Sequence, residues 1–322
     1  MNNTPLALAL PRLRLPQKER ATRPTAKPAT WARHSVELSP VQRRSIPDIP
    51  TRPAPTAPQR LAPRPLTIGV GWHRGLTRSH DPNEDSLVFL QGMCTYHDQL
   101  MPFSLFVIAD GMGGHDCGQE ASRLAMHTMM YTVLQNIVMG NELTDEYLLD
   151  MLTGGVQWAN LAVCKAAQEQ QNDMGTTLTA ALVIGVHAYV VNVGDSRVYR
   201  YRANARQHLK QITRDHSLVA HLVETGEIAP NAIYTHPDRN QVYRCLGNDE
   251  ELEIDGFMET LQAGDRLLLC SDGLWEMVHN PEIERLLSYE VEPGHACDLL
   301  VKESLRAGGC DNVSVIVARV PE

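Results

Sequence analysis

Residues 103–115 read FSLFVIADGMGGH, an apolar run that ends in Asp110 and a group of glycines. The pattern returns near the end of the chain, where residues 266–273 read RLLLCSDG and residues 311–317 read DNVSVIV. If the apolar runs are buried strands, their ends place three aspartates from distant parts of the sequence at one rim of a sheet. Carboxylates gathered in this way are stable mainly when cations lie between them. The three segments therefore predict a metal site.

The three acids of this site are Asp110, Asp272 and Asp311, and no cluster rich in cysteine or histidine accompanies them. Oxygen ligands of this kind favour Mg²⁺ or Mn²⁺. The chemistry indicated is metal-assisted attack of water on phosphorus or carbon. Each Asp-Gly step alone could be a simple hairpin turn. The two further glycines of the first segment let the backbone approach a ligand, so that the Gly111 carbonyl can also bind a metal.

Residues 1–65 differ in composition from the rest of the chain. They hold 13 of the 20 prolines and 12 of the 29 basic residues but three acids, so they carry +9 and the remainder −18 of the net −9. Such a segment buries too little apolar surface to offset its chain entropy, and we expect a disordered, Pro- and Arg-rich tail. It is either an arm toward an acidic partner or a solvated linker. The folded domain is expected over 66–322.

The sequence also predicts where the protein resides. No apolar stretch reaches the roughly 20 residues of a membrane span, and residues 6–10 are too short for a secretory signal. The seven cysteines form no C-x-x-C pair and leave an odd one, which indicates free thiols and a reducing compartment. We therefore expect a cytoplasmic protein without a membrane span.

Apolar periodicity predicts an α+β fold. Consecutive strands around Gly185 and Gly194 indicate antiparallel hairpins rather than β-α-β crossovers, and two long helices arrive together. Gly194-Asp195 is interpreted as a tight hairpin turn. The expected strands lie at 67–71, 86–90, 103–109, 177–184, 188–193, 197–202, 252–260, 266–270 and 313–320, and the expected helices at 119–139, 142–170, 217–225 and 281–306, the last with a break at 291–294.

Further candidate site residues flank the three acids. Glu84 and Asp85 precede an apolar run and are either solvated or functional. Arg78 lies just upstream, where a guanidinium beside a metal cluster can hold a phosphate. His115 follows the first glycine-rich segment, where a proton donor for a leaving group would be wanted.

Taken together, these motifs resemble the metal-dependent serine/threonine protein phosphatases, the PPM or type 2C class, in its bacterial form. The resemblance extends from about residue 66 to 320 and rests on an ordered set of segments. These are Arg78 with residues 83–86 (NEDS), 109–115 (ADGMGGH), 174–177 (MGTT), 193–197 (VGDSR), 214–217 (RDHS), 270–274 (CSDGL) and 311–314 (DNVS).

The resemblance implies a four-layer α-β-β-α sandwich of two antiparallel sheets flanked by helices. It also implies two Mn²⁺ or Mg²⁺ ions that activate water for hydrolysis of phosphoserine and phosphothreonine in proteins, opposing a serine/threonine kinase. Residues 215–240 correspond to a mobile flap beside the active site of this family. The protein is expected to be a monomer.

The roles implied by the resemblance can be assigned residue by residue. Asp110 would bridge the two metals, Asp272 and Asp311 would complete one coordination shell, and the Gly111 carbonyl would bind the other ion. Glu84 and Asp85 would hold waters of the metals, Arg78 the substrate phosphate, and His115 would be the general acid. A third, weaker metal would lie at Asp173 and Glu276.

Two departures from the family pattern qualify this assignment. The segment from Arg78 to Glu84 is about two residues longer than usual, which leaves Arg74 as the alternative phosphate ligand. Glu276 stands where aspartate is usual.

Two other functions compete with a phosphatase. The first is a phosphoprotein-binding scaffold on the same fold, which would have no reason to keep all three aspartates. The second is a metal-dependent nuclease. The −18 charge of the domain would repel the polyanionic substrate of a nuclease and makes other nucleic-acid partners unfavourable as well.

Overall fold

The computed structural model describes residues 64–113, 116–139, 143–289 and 292–322. His115 and the predicted tail, except for residues 64 and 65, lie outside this described part. None of the helices in these ranges combines the length and apolar composition that a membrane crossing requires. All seven cysteines are free thiols, as the sequence indicated.

Eleven strands of the described chain form two antiparallel sheets. Sheet A has the order β1-β11-β10-β7-β8, and sheet B has the order β2-β3-β5-β6-β9 with β4 paired to β3. The strands are β1 (Thr67–His73), β2 (Asp85–Tyr96), β3 (Gln99–Met112), β4 (Gly175–Thr176), β5 (Leu178–Ile184), β6 (His187–Val193), β7 (Arg197–Tyr201), β8 (Leu209–Gln211), β9 (Asp255–Thr260), β10 (Arg266–Cys270) and β11 (Val313–Arg319).

Helices cover the outer face of each sheet. Helices α1 and α2 share one apolar core with sheet B, and α4, α5 and α6 share another with sheet A. A third core lies between the two sheets, so the predicted four-layer α-β-β-α sandwich is confirmed. The helices are α1 (Asp116–Met139), α2 (Asp145–Gln170), α3 (Leu218–Glu224), α4 (Asp272–Trp275), α5 (Asn280–Ser288) and α6 (Pro293–Arg306), and a short 3-10 helix spans Pro230–Tyr234.

Strand β3 shows why the decisive segments are continuously apolar. Leu105 and Val107 belong to the core under α1 and α2, whereas Phe106 and Ile108 belong to the core between the sheets. Because side chains alternate between the two faces of a strand, a strand that is covered on both faces needs apolar residues at every position.

Local signals set the ends of the long helix α2. The Thr144 side chain accepts a hydrogen bond from the Tyr147 backbone N–H, and Asp145 and Glu146 lie in the first turn, where the helix dipole favours negative charge. Gln171 adopts a left-handed conformation at the other end, with φ of 54°. The helix therefore begins three residues after the predicted start at 142.

The interpretation of Gly194-Asp195 as a hairpin turn is wrong. Strand β6 pairs with β5 and β9 in sheet B, whereas β7 pairs with β10 and β8 in sheet A. The turn therefore carries the chain from one sheet to the other. Because β6 and β7 are both buried on two faces, their apolar pattern contains no information about which sheet each strand joins.

The sequence also understated the hairpin of β2 and β3, which continues to residues 96 and 99, and it missed the short elements β8 and α4. The outer part of the hairpin contains exposed polar residues between apolar ones, so it lacks a continuous apolar run. The short elements are too brief for a periodic signal.

We predict that the core between the sheets depends strongly on Phe106. This side chain is fully buried, whereas its cross-strand partner Phe89 is 43% exposed. Phe106→Ala should lower the free energy of unfolding by about 3–5 kcal/mol, and Phe89→Ala by about 1 kcal/mol or less. Denaturant titration of both variants measures the difference. Equal losses would show that the two sheets are not held together by this core.

Candidate metal centre

The predicted acids lie at one end of the sandwich because four strands begin or end there. Asp85 starts β2 and faces Asp110 directly across the β2–β3 ladder. Asp272 follows β10 as the first residue of α4, and Asp311 lies two positions before the start of the neighbouring strand β11. Both sheets therefore contribute carboxylates to one acidic cluster.

Hydrogen bonds join the two sheets at this end. The hydroxyl of Ser271, the residue after β10 of sheet A, donates to Asp85 Oδ2 at 2.8 Å. The Glu84 backbone N–H donates to Asn312 Oδ1 at 2.7 Å, and Asn312 Nδ2 donates to the Arg74 carbonyl at 2.8 Å. Glu84 and Asp85 are therefore held beside the strand ends that carry Asp272 and Asp311.

Two glycines allow the backbone to close around the cluster. A Cβ at Gly111 would lie 2.1 Å from the Gly118 carbonyl oxygen, and one at Gly273 would lie 2.0 Å from the Asn312 carbonyl oxygen. Both contacts are with backbone, which cannot move aside as a flexible side chain can. Glycine is therefore required after Asp110 and after Asp272 for their loops to approach the rest of the site.

The carboxyl groups of the cluster hold protons more tightly than ordinary aspartates. Burial raises the pKa of Asp85 to about 7, and burial with the charge of Glu276 raises that of Asp272 to about 6. Burial together with the charge of Asp272 raises the pKa of Asp311 to about 6 and raises that of Asp110 well above its usual value. Repulsion between buried carboxylates is the signature of a site that requires additional positive charge.

The donor set fits divalent cations. Asp85 Oδ1, Asp272 Oδ1 and Glu276 Oε1 are buried without a hydrogen-bond partner, and buried oxygens in this state are costly unless a ligand satisfies them. All available donors are oxygens, which suits Mg²⁺ or Mn²⁺. No three acidic, histidine or cysteine side chains of the described residues already form a metal cage. Cation binding would therefore draw the repelling carboxylates together.

Arg78 lies in the cluster, as predicted. Its Nη1 is 2.9 Å from Glu84 Oε2 and its Nε is 3.1 Å from Asp311 Oδ1. The side chain is 37% exposed, so it also reaches the solvent from which a phosphate would enter. Arg74 is exposed and contributes its backbone carbonyl to Asn312. Of these two arginines, Arg78 is the one whose side chain lies in the cluster.

Asp195 joins the acidic cluster although its sequence context suggested a turn. Its carboxyl group is buried, and burial followed by the charges of Asp272, Asp215 and Glu276 raises its pKa well above the usual value. The crossing between the sheets brings it to the same end as the other acids. The residue pattern around this position predicted a turn, and the family resemblance included the segment 193–197 without giving Asp195 a role.

The two residues predicted to hold a third metal differ in location. Glu276 belongs to the cluster, since its charge perturbs Asp272 and Asp195. Asp173 is exposed after α2, and it is not among the largest charge effects on Asp195 or Glu276. Asp195 and Asp272 are the carboxylates whose pKa values the charge of Glu276 raises.

A buried arginine anchors the crossing and the start of the flap. Arg197 makes an ion pair of 2.6 Å with Asp215 and lies over the Trp275 ring, 3.5 Å from its centroid. The Trp275 indole donates to the Asp195 carbonyl at 2.9 Å. This network fixes Asp195 relative to α4, the helix that carries Asp272.

The flap also contacts the cluster directly. Arg239 Nε lies 3.3 Å from Glu276 Oε2, and the Glu276 side chain is only 10% exposed. An arginine from a surface segment therefore supplies part of the positive charge that this end of the sandwich requires.

Comparison with known proteins gives a consistent family match. The family model for protein phosphatase 2C matches residues 77–306. A serine/threonine phosphatase stp from Listeria welshimeri is 36% identical over 215 residues, which cover 66% of this chain and 83% of that protein. The serine/threonine protein phosphatase PstP of Mycobacterium tuberculosis is 37% identical over 250 residues, which cover 77% of this chain and 43% of that protein.

Solved structures agree with these relatives. The crystal structure of the Mycobacterium tuberculosis phosphatase PstP/Ppp superposes with a TM-score of 0.67 at 34% identity and covers 80% of this chain and 99% of that one. The catalytic domain of PstP in complex with two manganese ions gives a TM-score of 0.65 at 34% identity, again over 80% of this chain and 99% of that one.

We predict that metal-free protein becomes less stable as the pH rises from about 5 to 8. The folded carboxyls have pKa values above those of the unfolded chain, so the folded state binds more protons in this range and loses that advantage as they ionise. Mn²⁺ should reverse the trend by binding the ionised form. Differential scanning fluorimetry with EDTA or Mn²⁺ measures the unfolding midpoints.

The matched variant for this test is Asp272→Asn. At pH 8 without metal it should unfold a few degrees higher than wild type, because one repelling charge is removed. With Mn²⁺ it should gain less than wild type does. A metal-free midpoint that rises with pH in wild type would contradict the assignment of a strained acidic cluster.

Proposed function

We propose a reaction for this chain from the premise that it belongs to the protein phosphatase 2C family and is a protein serine/threonine phosphatase. The proposed reaction is metal-dependent hydrolysis of phosphoserine and phosphothreonine in proteins, opposing a serine/threonine kinase. The observation that supports it best is the acidic cluster, in which both sheets bring buried carboxylates with unpartnered oxygens to one end of the sandwich.

The residues proposed to hold two Mn²⁺ or Mg²⁺ ions belong to the acidic cluster. Asp110 faces Asp85 across the β2–β3 ladder, is affected by the charge of Asp272, and is the proposed bridging ligand. Asp272, Asp311 and the Gly111 carbonyl would complete the two sites, and Glu84 and Asp85 would orient waters. When bound, the cations would lower the pKa of a coordinated water molecule and offset negative charge on the phosphoryl group.

The chain's own residues would position the substrate and move the proton. The Arg78 guanidinium is the proposed ligand of two phosphoryl oxygens, which its planar fork of N–H donors suits. As the oxygen of water forms a bond to phosphorus, the bond from phosphorus to the serine or threonine oxygen breaks. His115 is proposed to donate the proton to that oxygen, giving a free hydroxyl and inorganic phosphate.

A binding module without catalytic activity accounts less well for the site. Gathering Asp85, Asp110 and Asp272 raises the pKa of each and therefore lowers the stability of the fold at neutral pH. A scaffold would gain nothing from that arrangement, whereas a metal-dependent hydrolase needs it.

We predict that Asp272→Asn lowers kcat/KM for a phosphothreonine peptide with Mn²⁺ by at least about 100-fold, as expected when a principal charge interaction of the transition state is lost. Phosphate release measures the loss. Asp298→Asn, an exposed position on α6, is the control and should retain wild-type activity. Wild type that releases phosphate no faster than Asp272→Asn would exclude the proposed reaction.

A third cation is proposed at Glu276, Asp272 and Asp195, where it would compete with Arg239 for Glu276. We predict that Arg239→Ala strengthens binding of the third equivalent of Mn²⁺ by about two- to fivefold, the range of a partly exposed ion pair. Isothermal titration of the metal-free protein measures this. Arg239→Lys should behave like wild type, as should Arg206→Ala, which changes an exposed residue between β7 and β8. Identical isotherms for Arg239→Ala and wild type would show that Arg239 does not compete with a cation for Glu276.

A further inference from the structure

A cavity of about 360 Å³ lies between the edge strands β1 and β2 and the helix α1, next to the acidic cluster. Its lining includes Asp85, Trp72 and Leu87 from the strands and Arg123, Met126 and His127 from the helix. Asp85 belongs both to this lining and to the cluster, so the cavity adjoins the proposed reaction site. We call it the Trp72 groove.

One wall of the Trp72 groove is apolar. Ile68 and Val70 pack against the core between the sheets, and Trp72 continues the same row of alternating side chains to the open end of β1. There its side chain is 51% exposed. Leu87 and Met126 are half-buried beside it. A large aromatic side chain that is exposed in a concave site is typical of a surface that binds another polypeptide.

The other wall carries positive charge. Arg123 and His127 are four residues apart on α1 and therefore project from the same side of the helix. Both are exposed, and neither side chain forms an ion pair or a hydrogen bond within the described part of the chain. By contrast, Arg78, Arg197 and Arg239 are all paired with carboxylates.

The domain carries a net charge of −18, yet no acidic side chain of the described residues is paired with Arg123. Its N–H donors are therefore available to an anionic group from another molecule. Opposite charge at the rim of a binding surface favours selection of a matching partner.

We propose that the Trp72 groove binds the part of the phosphoprotein substrate that flanks the phosphorylated residue, and that Arg123 selects an acidic side chain there. Trp72, Leu87 and Met126 would contact the aliphatic part of the flanking residues. This inference rests on the proposed function. It assigns the sequence preference to residues that lie outside the acidic cluster.

The test uses the full chain with Mn²⁺ and phosphothreonine peptides that carry Glu, Gln or Lys at one flanking position at a time, up to four residues on either side. At one or more positions, wild type should prefer Glu over Lys by about fivefold in kcat/KM, through KM rather than kcat. Arg123→Glu should reverse that preference. Arg206→Glu makes the same change in net charge between β7 and β8 and should retain the wild-type preference.

A second variant tests the apolar wall. Trp72→Ala should raise KM for all peptides by a few fold and leave hydrolysis of para-nitrophenyl phosphate, which has no flanking residues, unchanged. Loss of para-nitrophenyl phosphate hydrolysis in Trp72→Ala would show a structural role and overturn its assignment to the groove.

The outcomes separate the two proposals. Wild type that hydrolyses para-nitrophenyl phosphate and all peptides equally well, whatever the flanking charge, would overturn the groove and leave the proposed function intact. The same result follows if Arg206→Glu changes the preference as much as Arg123→Glu. Wild type that hydrolyses neither kind of substrate would overturn the proposed function and this inference with it.

Discussion

Repulsion between buried carboxylates is the constraint on which this structure depends. Asp85, Asp110, Asp195, Asp272 and Asp311 lie at one end of the sandwich, and burial with mutual repulsion raises their pKa values. Negative charges removed from water in this way are tolerated only when protons, guanidinium groups or metal ions compensate them. The residues around the cluster can therefore be understood by how they supply positive charge or resist the repulsion.

The rest of the fold holds the carboxylates together against their mutual repulsion. The core between the sheets holds the two sets of strand ends at a fixed separation, and the hydrogen bond from Ser271 to Asp85 joins them across the site. Behind the cluster, Arg197 links Asp215 to the Trp275 ring, and Trp275 in turn bonds the backbone of Asp195. Because these contacts are buried, they are little weakened by solvent or salt, and the acids cannot separate without breaking them.

The sequence predicted those parts of the site that lie at the ends of long apolar runs. Asp110, Asp272 and Asp311 could be found because each adjoins a strand that is buried on both faces, which leaves an unbroken apolar signal. Asp195 could not, because its turn looks the same whether the chain returns within one sheet or crosses to the other. The sequence also does not show which carboxylates lie near Glu276. Their position depends on the crossing of the chain from sheet B to sheet A. The crossing is set by the pairing of β7 with β10, a contact between residues about 70 positions apart.

Arg78 and Arg239 also supply positive charge to the cluster. Unlike Arg197, which is buried, they are partly exposed to solvent. Arg78 is 37% exposed and Arg239 is 35% exposed, whereas their partners Glu84 and Glu276 are each 10% exposed. A guanidinium in this position can turn into water at little cost, but the carboxylate cannot follow it. We infer that a divalent cation at the cluster would compete with Arg78 for Asp311 and with Arg239 for Glu276, and would so release part of each guanidinium. Arg78 would then have N–H donors free for a phosphoryl group, so one side chain would serve as a counter-ion without metal and as a substrate ligand with it.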